Sequence, residues 1–426
     1  MRLLLTHGFF LTEDAKEQAV MRPYPPLGIL YIAAYLRERG FDVAVYDSTF
    51  GTREELFQML DDGPPAMLGI YGNLLTRSAV LAIMERARAT GWTVVLGGPE
   101  PSNYATEYLE AGAHHVISGE GERALEQLLS GQTPTPIAQI EDLDTLPWPA
   151  REMIDLDAYL RAWKRHHGAS SVSLITARGC PYSCRWCSHS TFGQTHRRRS
   201  VNNVADEVEW IASRYNPDLL WYADDVFTIH TGWSLQYAAE LKRRGIRIPF
   251  ECITRADRLN ESVADALAEM GCFRVWVGSE SGSQRVLDAM QRGVRVEQVQ
   301  RAVDILKARG IAAGMFLMWG YEGEQFEDIE ATVSHVQRCQ PDTFLTTVTY
   351  PLKGTHYFNE VSGRLVSLKD WSQSTDRDLR IRGRHSRRYY SFADELLRAA
   401  MASTPDPVRI ASARDGLRVS AMEVEA

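Results

Sequence analysis

The chain has 426 residues, of which 44% are hydrophobic and 24% are charged, and its net charge is −8 at pH 7. This length allows two or three domains with sizeable cores, and the negative charge argues against non-specific nucleic-acid binding. Six cysteines in so long a chain do not form a disulfide framework. The longest early apolar run, Leu27–Leu36, is too short to span a bilayer, so we expect a cytoplasmic protein without a membrane span.

The first 130 residues alternate short apolar runs with segments of helical periodicity. This rhythm favours a doubly wound parallel α/β sheet, in which ligands bind beyond the carboxyl ends of the strands. The predicted strands are Arg2–Thr6, Asp42–Asp47, Ala66–Tyr71, Thr93–Gly97 and His114–Ser118. The predicted helices are Leu27–Arg39, Arg53–Leu60, Thr76–Thr90, Asn103–Glu110 and Glu122–Leu129.

Three glycine-containing turns follow strands of this sheet and are candidate ligand contacts. Glycine lets the backbone approach a ligand closely, and helix N-termini favour phosphate. The candidates are Gly72, Asn73, Leu74, Leu75 and Thr76, then Gly97, Gly98, Pro99, Glu100 and Ser102, then Gly119, Glu120 and Gly121. The first βα turn lacks G-x-G-x-x-G, which gives a dinucleotide site little support. A flavodoxin-like structural or oligomerisation domain is the alternative.

The chain after residue 130 changes character twice. Residues 131–170 are predicted to be a linker, because Pro134 and Pro136 cannot continue a helix and prolines extend the stretch 143–151. From residue 171 a second βα rhythm begins, with too few units for an eight-fold barrel. Its predicted strands are Ser171–Ala177, Leu219–Ala223, Phe250–Thr254, Arg274–Gly278, Ala313–Met318 and Phe344–Thr349. Its predicted helices include Val204–Tyr215, Gly232–Arg244, Glu261–Met270 and Val296–Arg309.

The pattern weakens after residue 360, where a helix is expected around Phe392–Ala402. We therefore expect domains at 1–130 and 171–360, joined by the linker, and a C-terminal segment at 361–426. Six arginines crowd this segment: Arg377, Arg380, Arg382, Arg384, Arg387 and Arg388. They form either a solvated face or a lid whose cations meet an anionic substrate or cofactor.

Three cysteines form the most informative motif, C-x3-C-x2-C, at Cys180, Cys184 and Cys187. Soft thiolates at this spacing suit an iron–sulfur cluster, and three of them leave one iron open for another ligand. The alternatives are a zinc site with a distant fourth ligand, or plain buried cysteines. The other three cysteines are scattered and are expected to be buried thiols.

With Trp186 directly before Cys187, this motif resembles that of the radical S-adenosylmethionine (SAM) superfamily. The resemblance implies that the three cysteines hold a [4Fe–4S] cluster whose open iron chelates SAM. One electron then cleaves SAM to methionine and a 5′-deoxyadenosyl radical, which implies an external reductant of the flavodoxin or ferredoxin type. The second βα region is similar to the partial (β/α)6 barrel of that superfamily.

The same resemblance implies SAM contacts at the ends of the barrel strands. It places Asp224 and Asp225 near the SAM ammonium group, and Arg255 against the carboxylate in bidentate geometry. Further contacts implied by the motifs G-x-E-S-G-S and Y-P-x-x-G-T are Glu280, Ser281, Ser283 and Tyr350, with Trp186 near adenine. The structural alternatives are a helix cap at Asp225, an ion pair of Arg255 with Asp257, and a core contact for Trp186.

The first domain, with Pro25-Pro26-Leu27-Gly28 and Gly97-Gly98-Pro99-Glu100, resembles the cobalamin-binding domain that precedes many radical SAM barrels. The signature D-x-H-x-x-G, which supplies an axial histidine, is absent. His7 lies in the first loop without the aspartate. Many cobalamin-dependent radical SAM enzymes also lack this signature, and the resemblance therefore implies cobalamin without a protein imidazole on cobalt.

Together these resemblances imply a cobalamin-dependent radical SAM methyltransferase. It would methylate an unactivated carbon of a small-molecule or lipid-like metabolite, through a 5′-deoxyadenosyl radical and methylcobalamin. One alternative is a cyclase, ring-rearrangement or oxidation enzyme with the same cofactors. Another is a non-catalytic cobalamin or redox sensor. The net charge of −8 leads us to expect no nucleic-acid partner.

Overall fold

The protein is described by a computed structural model that covers residues 2–135 and 139–425, so Pro136 of the predicted linker lies outside the described residues. The chain divides into two units. The first comprises Met1–Pro181, Ser188–Trp221 and Lys369–Asp376, and the second comprises Tyr182–Cys187, Tyr222–Leu368 and Arg377–Ala426. Among the described helices, none combines the length and apolar character that crossing a membrane requires.

A five-stranded parallel sheet forms the centre of the first unit. Its strands are β1 (Arg2–His7), β2 (Asp42–Val45), β3 (Met67–Tyr71), β4 (Thr93–Gly97) and β5 (His115–Val116). Their order is β2-β1-β3-β4-β5, with every neighbouring pair parallel. In this order the chain reverses its winding between β1 and β3, and ligands of such sheets bind at that point. The doubly wound fold predicted from the sequence is confirmed.

Helices cover both faces of this sheet because alternate strand residues point to opposite sides. Leu4, Leu68 and Val94 pack on one side with the helices that contain Leu60 and Ile83. On the other side Leu3, Met67 and Val95 pack with two further helices. The helices of the unit are α1 (Ala15–Val20), α2 (Leu27–Glu38), α3 (Arg53–Asp62), α4 (Arg77–Ala89), α5 (Pro99–Asn103), α6 (Ala105–Glu110), α7 (Gly121–Leu129), α8 (Leu156–His167) and α9 (Val201–Tyr215).

The predicted helix Asn103–Glu110 is present as α6, which begins two residues later than predicted. Helix α5 was not predicted, and it begins at Pro99, since proline suits the first helical position. The predicted linker contains α8, whose N-terminus is capped by the Asp155 side chain accepting from the Ala158 N–H. The stretch 143–151 is not fully extended, because it begins and ends in short 3-10 turns.

Strands of the second βα region run through both units. In the first unit β6 (Ser171–Leu174) lies beside β9 (Leu219–Tyr222), and β7 (Ala177–Arg178) pairs with β8 (Arg197–Arg198) in an antiparallel hairpin. In the second unit the order is β13-β12-β11-β10, with all neighbours parallel. These four strands are β10 (Phe250–Thr254), β11 (Cys272–Glu280), β12 (Ala312–Trp319) and β13 (Thr343–Val348). All six strands predicted for the barrel are present.

Helices follow the strands of the second unit, as the βα rhythm predicts. They are α10 (Thr231–Arg244), α11 (Glu261–Met270), α12 (Gln284–Ala289), α13 (Val296–Lys307), α14 (Phe326–Cys339), α15 (His356–Val361), α16 (Arg387–Ala400) and α17 (Pro407–Ser420), and β14 (Leu365–Val366) pairs with β15 (Arg380–Ile381). The register aligns Thr254 with Val277 and Trp319 with Val348. Parallel pairing therefore brings the carboxyl ends of β10 to β13 to one edge of the sheet.

Candidate active site

The cysteine motif occupies a loop whose backbone is held at several points. Cys180 is half-buried, Cys184 is buried and Cys187 is exposed. Gly179, directly before the first cysteine, has φ +83°, and a Cβ there would collide with the carbonyl oxygen of Thr195. Only glycine fits this left-handed position without strain. The Cys187 N–H donates to the Cys184 carbonyl at 3.1 Å, which closes a turn between these two thiols.

The surroundings of Cys184 fit a negatively charged group. The guanidinium nitrogens Arg255 Nη1 and Arg292 Nη1 each lie 3.7 Å from Cys184 Sγ. Both arginines are buried. Within the described part of the chain, no three His, Cys, Asp or Glu side chains converge as one metal ion would require. Three thiolates with buried cations beside one of them suit a multi-iron cluster, whose attachment points are spread over several iron atoms.

Arg255 lies at the carboxyl end of β10, where the sequence placed a SAM carboxylate contact. Its Nε donates to Asp257 Oδ1 at 2.9 Å, and its Nη2 donates to the Arg292 carbonyl at 2.9 Å. The guanidinium also stacks on the Tyr182 ring, with its central carbon 3.6 Å from the ring centre. The ion pair with Asp257, weighed as the alternative, is therefore present, and it orients the guanidinium at the strand end.

Glu280 ends β11 in an unusual conformation. Its φ of +62° lies in the left-handed region, which a residue with a side chain adopts at some cost in energy. Burial raises the pKa of the Glu280 carboxyl, while Arg292 and Arg255 act to lower it. The following hydroxyls hold the turn, since Ser281 Oγ lies 3.1 Å from the Thr332 hydroxyl and Ser283 Oγ donates to Asp328 at 2.6 Å.

The other predicted SAM contacts have varied surroundings. Asp224 is buried and Asp225 is exposed, and α10 begins after His230, so Asp225 does not cap that helix. Trp186 packs against an apolar cluster of the second unit, as the core alternative predicts. Tyr350 is half-buried, and the Arg377 guanidinium lies 5.4 Å from its ring centre.

Two of the three predicted cobalamin turns, those after β4 and β5, border an apolar cavity of about 100 Å³ within the first unit, whereas the turn at residues 72–76 is not part of its lining. Its lining includes the backbone of Gly97, Gly98, Gly119 and Gly121, together with Phe192. At Gly98 the φ is +104°, and a Cβ would collide with the carbonyl oxygen of Gly72. At Gly97, by contrast, a Cβ would meet no atom within 4 Å, so this position leaves the end of β4 open to a ligand, which is the feature that a cobalamin site at this edge requires.

Most polar side chains of these turns form hydrogen bonds with other groups of the protein. The Glu100 carboxylate accepts from Arg77 Nε at 2.6 Å, and the Glu120 carboxylate accepts from Arg178 Nη1 at 3.1 Å. Asn73 Oδ1 accepts the Leu75 N–H at 2.9 Å, the Thr76 hydroxyl donates to the Asn73 carbonyl, and the Ser102 hydroxyl donates to the Gly98 carbonyl. Leu74 is half-buried, Leu75 is exposed, and Pro99 is half-buried at the start of α5.

His7 has partners for both ring nitrogens. Its Nε2 lies 2.9 Å from Asp47 Oδ1, and its Nδ1 lies 3.0 Å from the Ser48 hydroxyl. The residue is also buried. Both ring nitrogens of His7 are thus engaged within the protein.

Sequence reasoning missed Arg292 and the partners of Arg178. Arg178, two residues before Cys180, donates to Glu120 and also to Glu122 at 2.7 Å. Its place beside the cysteine motif was a possible signal, but the acidic partners lie more than fifty residues earlier in the chain. Arg292 lies in the turn after α12, where no sequence motif marks it. Its position beside Cys184 depends on the tertiary fold.

Several arginines of the C-terminal segment form ion pairs or hydrogen bonds within the protein. Arg384 is buried and lies 3.0 Å from Glu425, and Arg388 lies 2.8 Å from Glu423. Arg387 donates to the Arg377 carbonyl at 2.7 Å. These contacts engage three of the six arginines, and the burial of Arg384 shows that this residue is not part of a solvated face.

Two segments of the chain match known protein families. Residues 174–336 match the Radical SAM superfamily, and residues 19–129 match the B12 binding domain. The first match contains the cysteine motif and β10 to β12, and the second contains the glycine turns. The two matches thus coincide with the two sites built above.

The chain is similar over most of its length to a methyltransferase and to a cyclase. It is 27% identical over 86% of its length to the uncharacterized methyltransferase PH0819 of Pyrococcus horikoshii, covering 85% of that protein. It is 23% identical over 81% of its length to the anaerobic magnesium-protoporphyrin IX monomethyl ester cyclase of Synechocystis sp., covering 74% of that protein.

A solved structure shares the fold. It is the radical S-adenosylmethionine methyltransferase TsrM from Kitasatospora setae, with cobalamin and a [4Fe–4S] cluster bound. The TM-score is 0.70 at 19% identity, and the match covers 85% of this chain and 74% of that one. The match to the B12 binding domain gives cobalamin as a cofactor of this chain, and the match to the Radical SAM superfamily gives a [4Fe–4S] cluster and SAM. The chain belongs to the cobalamin-dependent radical SAM enzymes, in which a cobalamin-binding domain precedes a radical SAM barrel.

Proposed function

We propose that this enzyme is a methyltransferase that acts on an unactivated carbon of a small-molecule or lipid-like metabolite. The observation that carries the proposal is the presence, in one chain, of an open glycine-lined sheet edge and a three-thiolate loop with buried cations. The first suits a methyl carrier and the second suits the reductive cleavage of SAM. The similarity to the methyltransferase PH0819 over most of both chains supports methyl transfer.

The reaction balances with SAM in two roles and electrons from outside. One SAM gives up its methyl group and leaves as S-adenosylhomocysteine. A second SAM takes one electron and yields methionine and a 5′-deoxyadenosyl radical, which removes a hydrogen atom from the substrate carbon. Cobalamin, when bound, would supply the carrier for the methyl group, and a second electron would balance the transfer. We propose a reductant of the flavodoxin or ferredoxin type as the donor of these electrons.

We propose that Arg255 and Glu280 bind SAM, supported by their burial at the carboxyl ends of β10 and β11. Losing a charged hydrogen bond costs about 1.5–3 kcal/mol, so Arg255→Ala or Glu280→Ala should weaken SAM binding roughly tenfold to a hundredfold. Equilibrium binding of SAM to the cluster-loaded protein measures this. Arg258→Ala is the matched control, since Arg258 is exposed and three residues away. Equal affinity in Arg255→Ala and the control would assign Arg255 to the Asp257 ion pair alone.

The remaining proposed contacts follow from the same family resemblance. Asp224 and Asp225 would meet the SAM ammonium group, and Ser281, Ser283, Tyr350 and Trp186 would surround the nucleoside. The hydrogen bonds of Ser281 and Ser283 to α14 make them supports of the turn as well as candidate contacts. We further propose domain boundaries at residues 130, 170 and 360, a cytosolic location where thiols stay reduced, and no nucleic-acid partner.

The experiment that tests the function follows the methyl group. The reconstituted enzyme is incubated anaerobically with reductant, cobalamin, SAM carrying a deuterated methyl group, and the small-molecule fraction of the cells that make the protein. We expect a product that carries the labelled methyl, together with 5′-deoxyadenosine and S-adenosylhomocysteine. Mass spectrometry detects all three.

A cyclase or rearrangement enzyme is the second candidate, and the similarity to the Synechocystis cyclase favours it. Such an enzyme would use the same radical without transferring a methyl group. Formation of 5′-deoxyadenosine that depends on the extract, without any labelled product, would therefore replace the methyltransferase with this alternative. Absence of SAM turnover under every condition would point to a sensor.

A further inference from the structure

Arg292 lies beside the cysteine motif although it is distant from it in the sequence. Its Nη1 is 3.7 Å from Cys184 Sγ, and its Nη2 donates to the Gly278 carbonyl at 3.1 Å. The residue is only 6% exposed. A sulfur acceptor at this distance is within the range of a hydrogen bond from a cation. The guanidinium therefore faces one of the three proposed cluster ligands from inside the protein.

The two arginines beside Cys184 differ in what else they bind. Arg255 is held by both oxygens of Asp257, at 2.9 and 3.3 Å, which offsets its charge. Arg292 has a longer ion pair, with its Nε 3.6 Å from Glu280 Oε1, and among the described residues this Nε has no hydrogen-bond partner. This ion pair is longer than either contact of Arg255 with Asp257. Arg292 thus contributes the less compensated positive charge at Cys184.

The position of Arg292 is specified by its neighbours. The Arg185 N–H, between the second and third cysteines, donates to the Met290 carbonyl at 3.1 Å. This bond ties the cysteine loop to the turn that carries Arg292. At Gly278 a Cβ would lie 2.5 Å from Arg292 Nη2, so the absence of a side chain leaves the room that the guanidinium fills. Backbone bonding and this space together hold the cation against Cys184.

We propose that Arg292 is a positioning residue that stabilises the reduced form of the cluster through the Cys184 thiolate. This inference rests on the proposed function, because it needs a cluster bound by the motif. Reduction adds one electron from the external reductant, with no bond broken and no proton moved, and so increases the negative charge at the thiolates. Hydrogen bonds to cluster sulfurs and nearby charge set the reduction potential, and a buried cation favours the more negative state.

The test is a redox titration of the cluster-loaded, SAM-free protein, followed by electron paramagnetic resonance. In Arg292→Gln we expect the ratio of reduced to oxidised cluster at a fixed potential to fall about tenfold, which equals about 59 mV for one electron. Arg292→Lys keeps the charge and should shift less. Arg295→Gln is the matched control, because Arg295 is exposed on the same segment and loses the same charge. We expect its potential to equal that of the wild type.

Two results would overturn the inference. An unchanged potential in Arg292→Gln with full iron content would show that Arg292 does not act on the cluster. If Arg292→Gln binds no iron, Arg292→Met is measured in its place, because it also removes the charge, and an unchanged potential in fully loaded Arg292→Met would refute the inference equally. Iron analysis of the wild type separates the two proposals, since a wild type without a cluster refutes the proposed function itself.

Discussion

Replacing Cys180, Cys184 and Cys187 together by alanine should leave the protein almost without iron after anaerobic reconstitution. The reason is that these are the only soft ligands in the motif, and a cluster requires thiolates. The loop itself is held by backbone bonds and by Gly179, so the variant should still fold. Iron and sulfide analysis, with the visible absorption of the cluster, measures the loss. SAM cleavage should disappear with it.

The control uses the cysteines outside the motif. Cys252, Cys272 and Cys339 are buried in the second unit, and burial raises the pKa of the Cys252 and Cys339 thiols. A raised pKa keeps a thiol protonated and makes it a poor metal ligand. Each of these cysteines, replaced singly by alanine, should retain normal iron content. Near-normal iron in the triple variant of the motif would contradict the assignment of the cluster.

Replacing Glu207 by glutamine should destabilise the first unit by about 3–5 kcal/mol, because it breaks a buried ion pair from one side. Glu207 Oε1 accepts from Arg151 at 2.7 Å, and Oε2 pairs with Arg199. The side chains of Arg151 and Glu207 are 0% exposed. The neutral amide would leave two buried guanidinium groups without their counter-charge. Urea unfolding measures the difference from the wild type, and Glu209→Gln, exposed on the same helix, should change it by no more than about 0.5 kcal/mol.

The same ion pair predicts a dependence of stability on pH. Burial alone would raise the pKa of the Glu207 carboxyl, but Arg151 and Arg199 outweigh it and lower the pKa below its ordinary 4.5. A lowered pKa means that the stabilisation is present above pH 4.5 and is lost as the pH falls through the folded-state value. The stability gap between wild type and Glu207→Gln should therefore narrow in acid. A gap that stays constant down to the acid transition would contradict this account.

Much of the fold was predictable because its signals are local. A short apolar run predicted the strand Thr93–Gly97, and helical periodicity predicted the helix Glu261–Met270. Both elements have the predicted bounds in the structure. Where prediction failed, tertiary contacts decided the outcome. Helix α8 follows a stretch with several prolines and ends in a run of basic residues, and it is stabilised by burying Leu156, Tyr159 and Trp163. Pro99 and Pro101 indicated a turn, but Pro99 begins a short helix.

Some residues of the candidate site could be predicted from the sequence, and others could be found only in the structure. The cysteine motif and the residues at strand ends could be found from the sequence, because a motif is contiguous and strand ends are marked by the pattern. The ion pair of Arg77 with Glu100 joins residues 23 positions apart, and that of Arg178 with Glu120 joins residues 58 apart. Pairings at such separation leave no periodic signal. For this reason carboxylates expected to meet a ligand proved to be engaged with arginines.

The most direct test of the central claim is the fate of the deuterated methyl group when the wild type and the triple cysteine variant are compared with the same extract. The account predicts that the wild type releases a metabolite carrying the labelled methyl, with 5′-deoxyadenosine formed alongside it, and that the cluster-free variant releases neither. Labelled product from the cluster-free variant would show that the methyl transfer needs no radical. Extract-dependent 5′-deoxyadenosine from the wild type without labelled product would contradict methyl transfer altogether.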